Sequence, residues 1–232
     1  MPMIEIDTLE SDAQFQAYLA EPSPPPKAAV IVIQEIFGCN EGIRRKCDEW
    51  AGKGYLAVAP DLFWRVEAGV QLDPDKPEEF QQGVDIMMKF DQDTGIRDIE
   101  ATIRAARGRL QGGTKVGCVG YCLGGRLAFM TAARTDIDAS VSFYGVGLDN
   151  LLREKHGISR PLVLHIAGAD HFVPPEQQQA VHEGLDDHPL VTIYDYPGED
   201  HGFATEMGLR RSEAAKQVAD KRTEDFFAQQ LA

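Results

Sequence analysis

The sequence predicts a single α/β domain over residues 1–232, with a mostly parallel sheet and helices on both of its faces. Short apolar segments alternate with longer helical patterns along the chain, which is typical of parallel strands buried on both sides. The chain has 232 residues, of which 43% are hydrophobic, and this composition supplies one sizeable core. Because no internal repeat or low-complexity linker interrupts the pattern, one domain is the economical interpretation.

Six apolar segments are predicted as strands. Each is short, mostly apolar and bounded by turn-forming or polar residues, as buried strands are. They cover residues 28–35, 55–62, 114–120, 139–147, 161–168 and 191–197. A proline-rich stretch over 21–27 precedes the first strand and is predicted to be a stiff surface connection.

Helical patterns lie between and after these strands. Asn40 is a plausible N-cap for the first helix, and Gly54 lies near its end. The predicted helices cover residues 40–54, 78–90, 95–110, 124–134, 176–186 and 211–229. Strands joined by helical crossovers indicate a doubly wound arrangement.

Composition excludes several classes of partner. The formal net charge is −14, and so acidic a surface repels nucleic acid and anionic lipid. No apolar run approaches the roughly 20 residues that span a membrane, and the first residues lack the pattern of a signal peptide. We therefore expect a soluble, cytoplasmic protein whose partner is a small molecule. The sequence announces no interface between copies, so a monomer is the default expectation.

The four cysteines predict neither a disulfide framework nor a metal site. A chain of this length with four cysteines fits a reducing compartment. Cys118 and Cys122 lie four residues apart, but they stand where a strand runs into a turn, and no second Cys/His pair has suitable spacing. We expect no metal and no cofactor.

The turn at Cys122 resembles a nucleophile elbow. A strand, the pattern Gly120-x-Cys122-x-Gly124 and a helix follow one another, as in the G-x-S-x-G elbow of α/β-hydrolases. The helix N-terminus would favour the thiolate, which is the attacking form of cysteine. On its own, the pattern also fits a buried cysteine in an ordinary glycine-rich turn.

Two residues further along complete a possible triad. A nucleophile of this kind needs a histidine to accept its proton and a carboxylate to orient that histidine. Asp170 follows the strand 161–168, and His201 follows the strand 191–197, which matches the order nucleophile, acid, base. His171 breaks that order, and His165 lies inside a strand, where a core role is expected.

Backbone amides are predicted to complete the site. The oxyanion hole takes one N–H from the residue after the nucleophile, here Leu123, and one from the loop after an early strand, where Ile36 is the best candidate. Glu35 stands beside Ile36 at the end of a buried strand. An acidic side chain there is costly unless it is paired, protonated or turned towards solvent.

Together these residues make the chain similar to the dienelactone hydrolase family. The resemblance runs through nearly the whole chain and is carried by the motifs IVIQEIFG, AVAPDLF, KVGCVGYCLGG, SFYGVGL, AGADHFVP and YPGEDHGFA. It implies a single-domain α/β-hydrolase fold, a triad of Cys122, His201 and Asp170, and hydrolysis of an enol-lactone to maleylacetate. It also implies that Glu35 contacts the resting thiol and accepts its proton.

The chain departs from this family where the substrate carboxylate is bound. Family members place an arginine in the run after the histidine, at the position of Thr205 here, and another in a helix corresponding to residues 77–85, which contain no arginine. Arg65 is a plausible cation near the pocket, and Arg210 or Arg211 could reach it.

Four aromatic residues are candidates for pocket walls, although core packing explains each equally well: Phe37, Trp64, Tyr144 and Phe203. Two other functions stay open. One is a carboxylesterase or thioesterase that acts on neutral activated esters with the same triad. The other is a thiol-based redox or binding protein without catalysis, for which only Cys118 is near enough in sequence to act as a resolving thiol.

Overall fold

A computed structural model describes residues 3–23, 25–110, 112 and 114–232. Pro24, within the predicted proline-rich connection, lies outside the described residues, as do Met1 and Pro2. The eight strands are β1 (Met3–Asp7), β2 (Gln14–Ala20), β3 (Ala29–Ile33), β4 (Leu56–Pro60), β5 (Val116–Tyr121), β6 (Ala139–Phe143), β7 (Leu162–Ala167) and β8 (Val191–Tyr196). The α-helices are α1 (Glu41–Gly52), α2 (Pro77–Met87), α3 (Gln92–Arg109), α4 (Leu123–Arg134), α5 (Pro175–Leu185) and α6 (Glu213–Gln230).

The strands form one sheet in the order β1-β2-β4-β3-β5-β6-β7-β8. All pairs from β4 to β8 in this order are parallel, and the predicted mostly parallel sheet is confirmed. Ile33 pairs with Gly120, and Tyr121 pairs with Phe143. The carboxyl ends of β3, β5 and β6 therefore lie side by side, where ligand-facing loops of such sheets gather.

Helices cover both faces of the sheet. Alternate residues of β3 contribute to different cores: Ile31 belongs to the cluster that includes Ile99 of α3, and Val30 to the cluster that includes Trp50 of α1. Because successive strand side chains point to opposite faces, each buried strand supplies both cores. No helix among the described residues is both long and apolar enough to cross a bilayer.

The elements differ from the prediction in three places. The antiparallel strands β1 and β2, which extend the sheet beyond β4, were not predicted. A 3-10 helix over Leu148–Gly157 was also not predicted. The strand predicted over 139–147 ends at Phe143, because Tyr144 has a φ of 38° and cannot continue a strand. Asn40 caps α1 as predicted, and its side chain accepts a hydrogen bond from the amide of Ile43.

Candidate active site

Cys122 occupies the turn between β5 and α4. Its φ of 57° and ψ of −117° place a non-glycine residue in a strained conformation, which proteins maintain mainly at functional sites. The flanking glycines make this turn possible. A Cβ on Gly120 would lie 1.9 Å from the carbonyl oxygen of Gly124, and a Cβ on Gly124 would lie 2.4 Å from that of Ile33.

The backbone fixes the thiol at the amino end of a helix. The amide of Cys122 donates to the carbonyl of Phe143 at 3.1 Å, and the carbonyl of Cys122 accepts from Arg126 at 3.1 Å. The first hydrogen bond connects the turn to the end of β6, and the second is the first i to i+4 hydrogen bond of α4. The positive end of the α4 dipole therefore lies at Cys122, the residue that precedes the first turn of the helix.

Asp170 and His201 lie together beneath the same cavity. Nδ1 of His201 lies 2.7 Å from Oδ2 of Asp170, and both residues are only 4% exposed. The other carboxylate oxygen of Asp170 accepts the amide of Phe172 at 2.8 Å. With both oxygens engaged, the carboxylate is held in one orientation and can orient the imidazole ring in turn.

The pKa of His201 reflects its neighbours. Burial opposes a charge on the ring, but the Cys122 sulfur and the hydrogen bond to Asp170 outweigh it and raise the pKa from 6.5 to about 10. Nε2 nevertheless makes no hydrogen bond of standard geometry with any described residue. The bond to Asp170 occupies Nδ1, so Nε2 is the ring nitrogen left for proton exchange in the cavity.

Glu35 lines the cavity next to the end of β3 and is 9% exposed. Burial raises the pKa of its carboxyl group, and the positive charges of His201, Lys46 and Arg210 oppose that rise. Its carboxylate makes no hydrogen bond with another described residue in this structure, so no direct bond links it to the Cys122 thiol.

The two predicted oxyanion-hole amides are available. Leu123 is the first residue of α4, and the first amides of a helix have no acceptor within it. Ile36 lines the cavity, and the hydrogen bonds formed among the described residues do not use its amide.

A cavity of about 310 Å³ opens above Cys122 and His201. Side chains of α2 form one wall, and the loop that follows His201 forms the other. Its apolar lining comes chiefly from Ile36, Phe37, Phe80, Val84, Met87, Phe172 and Leu209. Water-excluding walls of this kind bind apolar groups and strengthen electrostatic interactions at the reacting centre.

The predicted pocket residues are distributed over three places. Phe37 lines the cavity, where its ring lies 5.9 Å from that of Phe80. Tyr144 and Phe203 lie below it, and their buried rings are 5.5 Å apart. Phe203 thus packs in the core.

Trp64 and Arg65 lie outside the cavity. Both donate to the buried carboxylate of Asp98, and the guanidinium of Arg65 also stacks over the ring of Trp64 at 4.1 Å. Because Asp98 holds Arg65, that arginine does not supply the cation expected near the substrate.

Arg210 supplies a positive charge to the cavity. Its guanidinium lies 5.2 Å from the centre of the Phe172 ring, and within the described chain it forms no ion pair with a carboxylate. The adjacent Arg211 differs, because Glu206 and Glu213 neutralise it. The sequence named both arginines, but only the fold distinguishes the unpaired one.

The other histidines near the site have different partners. His171 is paired with Asp200 at 2.7 Å on the surface, and His165 is fully buried between Tyr196 and Thr223. Ligand atoms of Asp170, His171 and Asp200 lie within 4.8 Å of one another. Hydrogen bonds to His201 and within the His171–Asp200 pair already use these groups, so they do not form an open set of metal ligands.

Comparisons with known proteins show relatives of the whole chain. Residues 15–231 match the model of the dienelactone hydrolase family. A curated protein from Azospirillum brasilense is 45% identical over 222 residues, covering 95% of each chain. The carboxymethylenebutenolidase of Pseudomonas putida is 37% identical over 214 residues, covering 92% of this chain and 91% of its own. A crystal structure from Klebsiella pneumoniae, 26% identical, superposes with a TM-score of 0.82 and covers 99% of this chain and 100% of its own.

Proposed function

The chain belongs to the dienelactone hydrolase family, and on that premise we propose that it opens an enol-lactone ring through a cysteine nucleophile. The proposed substrate is a dienelactone, and the product after tautomerisation is maleylacetate. The proposed triad is Cys122, His201 and Asp170.

One observation carries this proposal. His201, whose Nδ1 lies 2.7 Å from Oδ2 of Asp170, lines the same cavity as Cys122, a thiol at a helix N-terminus. We take the imidazole, the carboxylate and the sulfur as one catalytic unit. This combination supports nucleophilic acyl transfer.

In the first half of the proposed reaction, the Cys122 thiolate attacks the lactone carbonyl and forms a carbon–sulfur bond. The amides of Ile36 and Leu123 stabilise the oxyanion, with about 3–4 kcal/mol lost per donor removed in comparable sites. The ring C–O bond then breaks, and its electrons leave with the enolate oxygen. Because an enolate is a good leaving group, a soft thiolate is an adequate nucleophile for this ester.

Deprotonation of the thiol precedes that attack. Glu35 lies in the cavity wall, and burial raises the pKa of its carboxyl group, so this carboxyl group accepts a proton more readily than an exposed carboxylate does. We assign it the role of accepting the thiol proton as substrate arrives, a role that family resemblance also implies.

Acylation removes the sulfur charge that raised the pKa of His201, so the imidazolium can give its proton to the leaving enolate. In the second half, the neutral ring removes a proton from water, and the water oxygen attacks the thioester carbonyl. The carbon–sulfur bond breaks, the acid is released, and the sulfur leaves as thiolate. Asp170 stabilises the imidazolium that forms, since its carboxylate is already bonded to Nδ1.

Arg210 is our candidate for binding the substrate carboxylate. An anionic lactone entering an apolar cavity loses hydration that only a positive partner restores. Arg210 lines the cavity and forms no ion pair with the described carboxylates, so its charge is available. It would replace the arginine that this chain lacks at Thr205.

A second candidate function is hydrolysis of neutral activated esters or thioesters by the same triad. The apolar lining of the cavity favours it, because aromatic and aliphatic side chains form most of the wall.

A redox role has less support. Cys118 is fully buried, and its thiol is bonded to Ser140 at 3.3 Å, so it is poorly placed to resolve an oxidised Cys122.

A kinetic panel tests these functions. The wild type and the Cys122→Ala variant are compared on dienelactone isomers, neutral aryl esters and thioesters. We expect the wild type to have its highest kcat/KM on a dienelactone, and the variant to lose activity by about 10³-fold or more. A higher kcat/KM on neutral esters would replace the lactone assignment with the second function. Unchanged hydrolysis in Cys122→Ala would refute both.

A further inference from the structure

Tyr144 shares the backbone strain of the nucleophile. Its φ of 38° makes it, with Ser11 and Cys122, one of three non-glycine residues with positive φ in the described chain. Such a conformation costs on the order of 1–3 kcal/mol and persists only where the surroundings enforce it. Here the amide of Tyr144 donates to the carbonyl of His165 at 2.8 Å, which fixes the bend at the end of β6.

This bend places the aromatic ring under the catalytic pair. The centre of the Tyr144 ring lies 5.0 Å from that of the His201 ring, in an edge-on arrangement, and 6.2 Å from that of Tyr121. The residue is only 2% exposed and does not line the cavity itself. Its ring therefore supports the site from below rather than contacting solvent.

The hydroxyl group of Tyr144 has no hydrogen-bond partner among the described residues. A buried polar group without a partner costs about 1–3 kcal/mol, and ring packing alone would be served equally well by phenylalanine. Burial raises the pKa of the phenol, and the charges of Glu35 and Cys122 raise it further. The group therefore stays protonated and remains a hydrogen-bond donor.

Glu35 is the complementary group. Its carboxylate also lacks a hydrogen bond with a described residue, and it is the charge that acts most strongly on the Tyr144 phenol. An unpaired donor thus lies buried beside the His201 ring, and an unpaired acceptor lines the cavity that Cys122 and His201 also line. A protonated Glu35 carboxyl group tolerates this arrangement, whereas an ionised one requires a donor.

We propose that the Tyr144 hydroxyl donates a hydrogen bond to the Glu35 carboxylate when that carboxylate ionises. Tyr144 is then a positioning residue, which holds Glu35 beside the thiol in the form that accepts a proton. The proposal deepens the proposed function and rests on the role assigned there to Glu35. Other charged or titratable groups act on the two partners: His201, Lys46 and Arg210 on Glu35, and Tyr121, Cys122 and Asp220 on Tyr144.

The direct test is the titration of Glu35 by ¹³C NMR, in full-length protein labelled at the side-chain carboxyl carbon of glutamate. The resonance is identified by its loss in Glu35→Gln. In Tyr144→Phe we expect the acid dissociation constant of Glu35 to fall about tenfold or more, so that the midpoint of the Glu35 titration moves up by about one pH unit or more. Tyr55→Phe, which removes a hydroxyl from a buried ring whose phenol is acted on by Glu224 and not by Glu35, is the matched control and leaves the midpoint unchanged.

Two further measurements separate this role from core packing. Because the hydroxyl makes no bond in the resting structure, thermal melting of Tyr144→Phe should match that of the wild type. In Tyr144→Phe, the acidic limb of the pH profile of kcat/KM should shift together with the NMR midpoint of Glu35. Tyr144→Phe should cause no such shift in a protein that also carries Glu35→Gln. An unchanged Glu35 midpoint in Tyr144→Phe, or a kinetic effect that persists without Glu35, overturns the proposal. The NMR titration needs no substrate, so failure of the lactone assignment leaves it intact.

Discussion

The ammonium group of Lys46 lies 3.0 Å from Oε1 of Glu206, a residue 160 positions later in the chain. This ion pair joins α1 to the loop that follows His201. Lys216 of α6 reaches the same oxygen at 2.8 Å, and Arg211 reaches the other carboxylate oxygen at 2.8 Å. A single buried carboxylate thus fixes the loop that carries both the imidazole and Arg210.

We predict that Glu206→Gln destabilises the protein by about 3–5 kcal/mol, because the buried ammonium group of Lys46 loses its counter-charge and that of Lys216 keeps only Asp220. The side chains of Glu206, Lys46 and Lys216 are all less than 10% exposed. Urea unfolding at neutral pH measures the loss. The matched control is Glu213→Gln, which removes an exposed partner of the same Arg211 and should cost no more than about 1 kcal/mol. Equal losses in the two variants would contradict this prediction.

This loop also shows where inference from sequence ends. The glycines around Cys122, and the chain order of Cys122, Asp170 and His201, are local features that parallel strand ends bring together. They predicted the residues that meet beneath the cavity. The availability of Arg210 depends instead on the path of the loop after His201, which distant contacts determine: Glu206 is bonded to α1 and α6, and the amide of Leu209 donates to Asp75 at 3.0 Å.

The same distinction applies to the fold. The parallel strands β3, β4, β5 and β7 were predictable because each is a nearly continuous apolar run. In the antiparallel strand β2, by contrast, exposed Gln14 and Gln16 alternate with buried Phe15 and Ala17, which weakens the apolar signal. Arg65 was expected near the substrate, and only its long-range pairing with Asp98 shows that it is held elsewhere.

We predict that the imidazole of His201 titrates far above its ordinary range, with a midpoint near 10. Burial alone would favour the neutral ring, so the elevated pKa depends on the Cys122 sulfur and on Asp170. The Cε1 proton of His201, followed by ¹H NMR against pH, measures the midpoint. Cys122→Ala should lower it by more than one unit.

The control for this titration is Cys118→Ala, since Cys118 is a fully buried thiol that is not among the groups acting on the pKa of His201. It should leave the His201 midpoint where it is in the wild type. If Cys122→Ala also leaves the midpoint unchanged, the sulfur does not act on the ring and the proposed triad loses its electrostatic basis.

We predict that Arg210→Met discriminates between substrates by charge. Loss of charge-assisted hydrogen bonds to a carboxylate should lower kcat/KM for an anionic lactone by about 10- to 100-fold. Neutral aryl esters make no such bonds and should change by less than about threefold. Arg45→Met, at an exposed position on α1, serves as a surface control. Parallel losses on both substrate classes would argue against Arg210 as the carboxylate partner.

His165 provides a pH-dependent contribution to stability. Its Nε2 lies 3.0 Å from the Thr223 hydroxyl, which itself donates to the Ala219 carbonyl, so the ring donates at Nε2. Its Nδ1, 2.8 Å from the Tyr196 hydroxyl, is then the acceptor. This pattern fits a neutral ring, and burial lowers the pKa of His165 from 6.5 to about 3.

A group whose pKa is lowered by folding stabilises the protein above its unfolded pKa and loses that contribution as the pH falls. We therefore predict that the His165 contribution declines from pH 6.5 towards pH 3, and that at pH 5 the loss is about 2 kcal/mol. Urea unfolding of the wild type and His165→Gln between pH 7 and pH 5 measures this loss, because the unfolding free energy of the glutamine variant lacks the part of the pH dependence that comes from His165.

His182→Gln is the control. Hydrogen bonds to Asp186 and Asp195 outweigh the effect of burial and raise the pKa of His182, so its removal should not reduce the loss of stability at low pH. If the unfolding free energy of the wild type and of His165→Gln fell equally with pH, the ring would accept a proton in the folded state as readily as in the unfolded chain.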